Sequence, residues 1–208
     1  FFKQKTAYEI CVCDWSSDVC SSDLDPVAII GIDLGTTNSL VSVYRNGHAE
    51  LLPNEWGEFM TPSCVGVLED GTVTVGAVAK ERLITHPEET AASFKTWMGT
   101  QKEYILGGRR FLPQELSALV LRKLAQNARE ALGEEIEEAI ISVPAYFNDN
   151  QRCATRLAAQ LAGLPVKRLI NEPSAAALLQ PEPGAERVPP AGHRLRRRYA
   201  GCQRCGLL

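Results

Sequence analysis

A short polar turn follows the first strongly apolar run of the sequence. The stretch "GIDLGTTNS", residues 31–39, places Asp33 at the end of that run, followed by Gly35, Thr36 and Thr37. A tight turn of this composition can aim backbone N–H groups and hydroxyls at phosphate oxygens, while a carboxylate can hold the hydration shell of Mg²⁺. An ordinary β-hairpin with a threonine-rich turn is the alternative. The stretch matches neither G-x-x-x-x-G-K-[ST] nor G-x-G-x-x-G, so it indicates neither a P-loop nor a Rossmann site.

Strands are predicted on both sides of this turn. "VAIIGID" (27–33) is a continuous apolar run typical of a buried strand, and "SLVSVYRNG" (39–47) alternates like its hairpin partner. "HAELLP" predicts a third strand. Further on, "LPQELSALVLRKLAQNAREALG" repeats apolar residues every four positions and ends at Gly133, which predicts a long amphipathic helix.

The second half of the chain reads as strand, helix, strand. "EEAIISVP" (137–144) and "PVKRLIN" (165–171) predict the strands, and "NDNQRCATRLAAQLAG" predicts a helix that begins at Asn148 or Asp149. Such an order forms a right-handed parallel crossover, here after an antiparallel start. The sequence therefore predicts an α/β domain with a mixed sheet flanked by helices.

Composition limits the classes of function. The chain has 208 residues, of which 45% are apolar, and a formal net charge of -3. This charge gives no general attraction to nucleic acid or acidic membranes. Since no apolar run is long enough to span a bilayer and the start lacks a signal peptide, we expect a cytoplasmic protein with no membrane partner.

The predicted domain covers residues 25–180, between two ends of different composition. Its two cysteines, Cys64 and Cys153, are expected to be buried or half-buried packing residues. The start, residues 1–24, is interpreted as a non-native extension that resembles translated sequencing-adapter DNA. Residues 181–208 are interpreted as an aberrant, disordered tail. The other five of the seven cysteines fall in these two ends: Cys11, Cys13, Cys20, Cys202 and Cys205.

Three stretches in order carry a family resemblance. "IGIDLGTTNSLVSVYRNG", "VPAYFND" and "LINEPSAAAL" strongly resemble the ATPase domain of the seventy-kilodalton heat-shock chaperones of the DnaK type, from about residue 27 to 179. The compact stretch "GTQKEYILGGRRFLPQELSALVLRKL" resembles the specialised HscC branch. The resemblance implies the actin-like ATPase fold, with this chain as a truncated first lobe. It also implies an ATP-hydrolysing molecular chaperone that couples ATP to peptide binding.

Within this resemblance, the polar turn corresponds to the phosphate loop. Asp33, Gly35, Thr36, Thr37 and Asn38 would face the phosphates of ATP or ADP, with Asp33 holding Mg²⁺ through water. The implied partners of the full-length parent are unfolded peptide clients and J-domain or nucleotide-exchange co-chaperones.

Four further residues match functional positions of the family. Lys95, in "SFKTWMG", matches the lysine at the γ-phosphate, and Glu172 matches the glutamate that orients water or metal. Pro144 and Arg152 match the pair that relays nucleotide state to the peptide-binding domain. Read alone, Lys95 would be a solvated surface lysine and Glu172 a helix N-terminal acid. Pro144 would then only end a strand, and Arg152 would lie on a helix surface.

The tail suggests a metal or nucleic-acid site, but the residues argue against both. Cys202, Cys205 and at best His193 supply three ligands at irregular spacing, whereas a structural zinc site needs four. After Gln180 the tail has six arginines and two acids, which is sufficient only for weak nonspecific phosphate attraction. We therefore expect neither zinc nor nucleic acid as a partner.

A shift of reading frame explains the tail better. Back-translated in a shifted frame, residues 194–206 accommodate D-F-G-G-G-T-L-D-V-S-V-V, which resembles the second phosphate loop of the family. The slip is predicted near residues 181–190. A chain without that loop should bind ATP weakly and hydrolyse it little.

Two other classes of function remain as alternatives. A small-molecule kinase of the same superfold would carry a catalytic aspartate near its sugar and lack "VPAYFND" and "NEPSAAAL". A nucleic-acid or zinc-binding module would act through the tail. It would show salt-dependent DNA binding or stoichiometric zinc.

Overall fold

The computed structural model describes residues 28–45 and 48–178. The predicted extension 1–24 and tail 181–208 lie outside the described residues, and so do the predictions made on them. In chain order the described strands are β1 (Ala28–Asp33), β2 (Asn38–Arg45), β3 (His48–Leu51), β4 (Thr61–Pro62), β5 (Cys64–Val67), β6 (Val73–Val75), β7 (Thr90–Ala92), β8 (Tyr104–Leu106), β9 (Arg109–Phe111), β10 (Ile136–Val143) and β11 (Val166–Asn171). The described helices are α1 (Ala77–Thr85), α2 (Pro113–Leu132), α3 (Asp149–Leu161) and α4 (Glu172–Leu178), with short 3₁₀ turns at Pro87–Glu89 and Phe94–Trp97.

The main sheet is mixed, as predicted. Its strand order is β11-β10-β1-β2-β3, and β4 pairs with the start of β2. Strands β1, β2 and β3 are antiparallel neighbours, whereas β1, β10 and β11 run parallel. The parallel part is closed by α3, which connects β10 to β11, and this crossover confirms the strand–helix–strand prediction.

One face of this sheet carries the core. In β1, Ile30 and Ile32 are buried, while Ile29 and Asp33 on the opposite face are exposed, because side chains alternate along a strand. Helix α2 packs on β1 and β2, and α3 packs on α2 and β11. Each large apolar side chain buried here contributes about 1.5–3 kcal/mol. Helix α4 contacts β10 and β11.

Helix ends follow local sequence signals. Helix α2 ends at Leu132, and its C-cap Gly133 has φ 68°, the left-handed conformation that glycine adopts without strain. At α3 the N-cap is Asn148, whose Oδ1 accepts the Gln151 N–H at 3.0 Å, while Gln151 Oε1 accepts the Asn148 N–H at 3.0 Å. This reciprocal pair selects Asn148 rather than Asp149 as the residue that opens the helix.

Residues 52–112 form elements that the sequence patterns left unassigned. A three-stranded sheet of order β6-β5-β7, the hairpin β8–β9 and helix α1 lie in this stretch. Cys64, in β5, is buried as predicted, but Cys153 is exposed, so its prediction as a packing residue was wrong. Cys153 lies on α3 among residues that point away from the core. None of the described helices combines the length and apolar character needed to cross a bilayer.

Candidate active site

The carboxyl ends of the three parallel strands meet at one edge of the main sheet. Asp33 pairs in register with Ser142 of β10, which in turn pairs with Ile170 of β11. The Ser142 hydroxyl donates a hydrogen bond of 2.7 Å to Asp33 Oδ1. The other carboxylate oxygen accepts no hydrogen bond from a described residue, and the side chain is exposed. Asp33 is thus held in one orientation with a free oxygen toward solvent.

The turn after β1 is tight enough to require glycine at its first position. A Cβ added at Gly35 would lie 1.9 Å from the backbone oxygen of Asn38. Thr36 and Asn38 are half-buried and Thr37 is exposed. Neither the N–H groups nor the hydroxyls of Thr36 and Thr37 hydrogen-bond to another described residue. The turn, residues 35–38, therefore keeps backbone and hydroxyl donors that no described residue uses, and we name it the phosphate turn after the role that the sequence predicts for it.

Lys95 and Glu172 are brought together although they lie far apart in the chain. Lys95 Nζ donates to Glu172 Oε1 at 2.8 Å, with side-chain exposures of 7% and 40%. The ammonium also lies 5.7 Å from the centre of the Phe147 ring. A buried ammonium needs a counter-charge, and Glu172 supplies it. Lys95 is therefore not the solvated surface lysine that its position alone suggested.

Local structure explains how Lys95 reaches this place. It lies in the 3₁₀ turn Phe94–Trp97, which follows Ser93 in the left-handed conformation at φ 55°. Phe94 and Met98 on either side of Lys95 are buried at 1% and 0% exposure and anchor the turn in the core. Glu172 is the first residue of α4, directly after the end of β11.

Pro144 and Arg152 belong to one chain of hydrogen bonds that ends beside Glu172. The carbonyl oxygen of Pro144 accepts the Phe147 N–H at 3.1 Å, and the carbonyl oxygen of Phe147 accepts from Arg152 Nε at 3.1 Å. Arg152 Nη2 then donates to Asn171 Oδ1 at 2.7 Å. The sequence patterns missed Asn171 and Phe147, although both lie within the quoted stretches "LINEPSAAAL" and "VPAYFND".

A cavity of about 330 Å³ opens on the sheet face opposite α2 and extends to the carboxyl ends of β1, β10 and β11. Asp33, Ser142 and Glu172 line it, and Lys95 adjoins it through its ion pair with Glu172. The turn residues 35–38 do not line it, but Asp33 before the turn and Leu40 after it do. A larger cavity of about 580 Å³ lies at the amino ends of β10 and β11. Since ligands of open α/β sheets bind outside the carboxyl ends, the smaller cavity is the better candidate site.

The acidic residues of the site fit a metal that keeps its water shell. No group of three or more His, Cys, Asp or Glu side chains within the described part of the chain is placed to hold a metal ion. Mg²⁺ commonly binds through one or two carboxylates together with substrate phosphates and water. The free oxygen of Asp33 beside the phosphate turn suits this mode of binding, and we find no cage for a structural metal among the described residues.

Comparison with known proteins gives one family. The family model described as "Hsp70 protein" matches residues 29–106 and 102–179, which together span more than half of the chain. The first match contains the phosphate turn and Lys95. The second contains Pro144, Arg152 and Glu172.

Proposed function

The chain belongs to the Hsp70 family, and from this premise we propose that it forms the phosphate-binding side of an ATP-hydrolysing molecular chaperone. Its mixed sheet with flanking helices is consistent with the actin-like ATPase lobe of that family. The observation that carries the proposal is the contact between Lys95 and Glu172 beside Asp33, at the carboxyl ends of the parallel strands.

The phosphate turn would bind the terminal phosphates of ATP. The N–H groups and hydroxyls of Thr36 and Thr37 are without partners among the described residues, and Gly35 lets the backbone approach closely. Asn38 completes the turn. Asp33 would hold Mg²⁺ through water, and the bound ion would neutralise charge on the phosphates.

Lys95 and Glu172 would act on the γ-phosphate. An ammonium has three N–H donors, and Glu172 accepts only one of them, so two remain for phosphate oxygens. Lys95 would stabilise the charge that develops as the γ-phosphoryl group passes to water, giving ADP and phosphate. The second oxygen of the Glu172 carboxylate would accept a hydrogen bond from the attacking water and orient it.

The hydrogen-bond chain from Pro144 to Asn171 would carry the state of the site to a peptide-binding partner domain. Arg152 hydrogen-bonds to Asn171 of β11 and to Phe147 in the segment after β10. A movement of Glu172 would therefore be transmitted to Pro144. Clients would be unfolded peptides, and J-domain or nucleotide-exchange co-chaperones would act on the cycle. The free thiols of Cys64 and Cys153 favour a reducing compartment, so we place this activity in the cytoplasm.

Titration of the purified chain with MgATP tests the proposal. Because the described residues form only one wall around the phosphates, we expect weak, magnesium-dependent binding and slow turnover. Lys95→Ala should weaken binding by about 10- to 100-fold, since a charged hydrogen bond is worth about 1.5–3 kcal/mol. The matched control is Lys167→Ala, because Lys167 is an exposed lysine paired with Glu138 away from the site.

The absence of saturable binding, or equal binding by both variants, would contradict the proposal. Fast turnover by this chain would contradict the expected weak activity.

A further inference from the structure

We infer that Ser39 and Ser63 are positioning residues whose hydroxyls close a ring of hydrogen bonds on Gly35 and so orient the phosphate turn. The ligand in this inference rests on the proposed function. The ring itself is formed only by groups of the protein. Ser39 follows the turn at the start of β2, and Ser63 follows β4, which pairs with β2.

Three hydrogen bonds form the ring. The Gly35 N–H donates to Ser39 Oγ at 3.2 Å, and Ser63 Oγ donates to the Gly35 carbonyl oxygen at 2.8 Å. The two hydroxyl oxygens lie 2.9 Å apart. The ring therefore begins and ends on the backbone of one residue, Gly35.

The direction of each bond follows from counting protons. A carbonyl oxygen only accepts, so the single hydroxyl proton of Ser63 lies on the bond to Gly35. The bond between the two hydroxyls must then use the proton of Ser39. Each hydroxyl donates once and accepts once, so the removal of either one takes a hydrogen bond from two other groups.

Burial makes the ring difficult to replace by water. Ser39 and Ser63 are 0% and 2% exposed. Loss of one hydroxyl would leave the half-buried backbone of Gly35 and the other, buried hydroxyl each with one hydrogen bond fewer, which costs more than the loss of a solvated hydrogen bond. The backbone N–H of Ser63 also donates to the Thr37 carbonyl oxygen at 2.8 Å, so Ser63 holds two carbonyl groups of the turn.

Peptide geometry connects this ring to ligand binding. In a trans peptide the N–H lies on the opposite side from the C=O of the same unit. Because the Gly35 C=O points to Ser63, the N–H of Thr36 must point away from Ser63 and from the buried hydroxyl pair. This N–H has no partner among the described residues. The ring therefore sets the direction of a donor that the proposed function assigns to a phosphate.

Nuclear magnetic resonance of the ¹⁵N-labelled chain tests both parts. Three variants are compared with the unchanged chain: Ser39→Ala, Ser63→Ala and the control Ser117→Ala. Ser117 is likewise 0% exposed but lies on α2, where its hydroxyl is 2.8 Å from the Pro113 carbonyl oxygen and 4.0 Å from the Met98 sulfur, away from Gly35. A double variant, Ser39→Ala with Ser63→Ala, completes the set.

With MgATP, we expect the Thr36 amide signal to shift in the unchanged chain and in the control. Each ring variant should bind MgATP about tenfold more weakly while remaining folded. The double variant should be no weaker than the single ones, because either substitution opens the ring. Folded ring variants with unchanged affinity and an unchanged Thr36 response would overturn the positioning role.

Amide hydrogen exchange without nucleotide tests the ring separately. The Gly35 amide should be protected in the unchanged chain and in the control, and should exchange faster after Ser39→Ala. An unprotected Gly35 amide in the unchanged chain would overturn the ring even if the variants failed to fold. If MgATP shifted no amide of the turn in the unchanged chain, the proposed function and the positioning role would both be wrong. The exchange rates would still decide whether the ring exists.

Discussion

Lys95 Nζ lies 2.8 Å from Glu172 Oε1, although 77 positions separate the two residues in the chain. The lysine side chain is almost fully enclosed, whereas the glutamate side chain is 40% exposed and borders the cavity beside Asp33. The lysine is thus enclosed by the protein, while its ammonium is paired with a carboxylate that lines the candidate site. Substitutions can therefore measure the contribution of the pair to folding stability separately from its role at the candidate site.

Breaking this pair should destabilise the fold measurably. Glu172→Gln leaves the buried ammonium with a weaker partner. The single variant Lys95→Met and the double variant Lys95→Met with Glu172→Gln complete a double-mutant cycle. Because Glu172 is partly solvated, we expect a coupling of about 1 kcal/mol, less than for a fully buried pair. Urea unfolding measures it.

The control is the pair Lys167 and Glu138, whose Nζ and Oε1 lie 2.7 Å apart and whose side chains are 58% and 26% exposed. Its coupling should be smaller, because the Lys167 ammonium is largely solvated whereas that of Lys95 is enclosed. Equal couplings for the two pairs would mean that the burial of Lys95 has no energetic consequence.

Substitution of Gly35 should be much more costly than that of another glycine in a turn. In Gly35→Ala the new methyl group would lie 1.9 Å from the Asn38 carbonyl oxygen, so the backbone of the turn must move. We expect a loss of about 3 kcal/mol in the free energy of unfolding. Gly133→Ala, where the Cβ meets no atom and only the left-handed φ is unfavourable, should lose about 1 kcal/mol. Thermal unfolding of both variants measures the two losses of stability. Similar losses would show that the turn adapts easily.

Asn127 is a buried polar side chain on the core face of α2, and its replacement should stabilise the protein. It is 2% exposed, and neither its Oδ1 nor its Nδ2 has a hydrogen-bond partner among the described residues. Asn127→Leu removes the desolvation cost, so we expect a gain of about 1 kcal/mol in the free energy of unfolding. The exposed neighbour Gln126, changed to Leu, should shift stability by no more than about 0.5 kcal/mol. If Asn127→Leu instead lowered stability, the amide would have a partner such as a buried water.

The two cysteines of the domain should differ in reactivity. Burial raises the pKa of the Cys64 thiol, and the nearby charge of Lys80 offsets this only in part. Since the thiolate is the reactive form, Cys64 should react more slowly with iodoacetamide than the exposed Cys153 at neutral pH. Peptide mapping by mass spectrometry distinguishes the two sites. The difference should vanish in denaturant, and equal rates in the native protein would show that β5 opens readily.

The raised pKa of Cys64 also predicts how stability changes with alkaline pH. Below the pKa of the unfolded thiol, about 8.5, the group is neutral in both states and stability is unaffected. As pH rises above that value, the unfolded state loses this proton more readily than the folded state. Stability should therefore fall with rising pH, and less so in Cys64→Val. An identical slope in both proteins would contradict a raised pKa.

Much of the main sheet could be predicted because the apolar patterns of its strands and helices repeat every few residues. The apolar run before Asp33, the alternation of β2 and the four-residue spacing in α2 are carried by neighbouring residues. Residues 52–112 gave no such pattern. Their strands are only two to four residues long, too short for an alternating pattern to be recognised. The turn that carries Lys95 begins at Ser93, whose backbone is left-handed. Few residue types favour this conformation, and a serine does not predict it.

The amino-acid sequence alone determined the mixed α/β sheet, the turn between β1 and β2 and the family, because these depend on local periodicity and on short stretches of contiguous residues. Only the tertiary structure decided which groups meet. Gly35 is held by Ser39 and Ser63, residues 24 positions apart, and Lys95 is neutralised by Glu172. Such contacts depend on strand register and on how turns pack against the sheet. Those properties arise from the whole core rather than from neighbours in the chain.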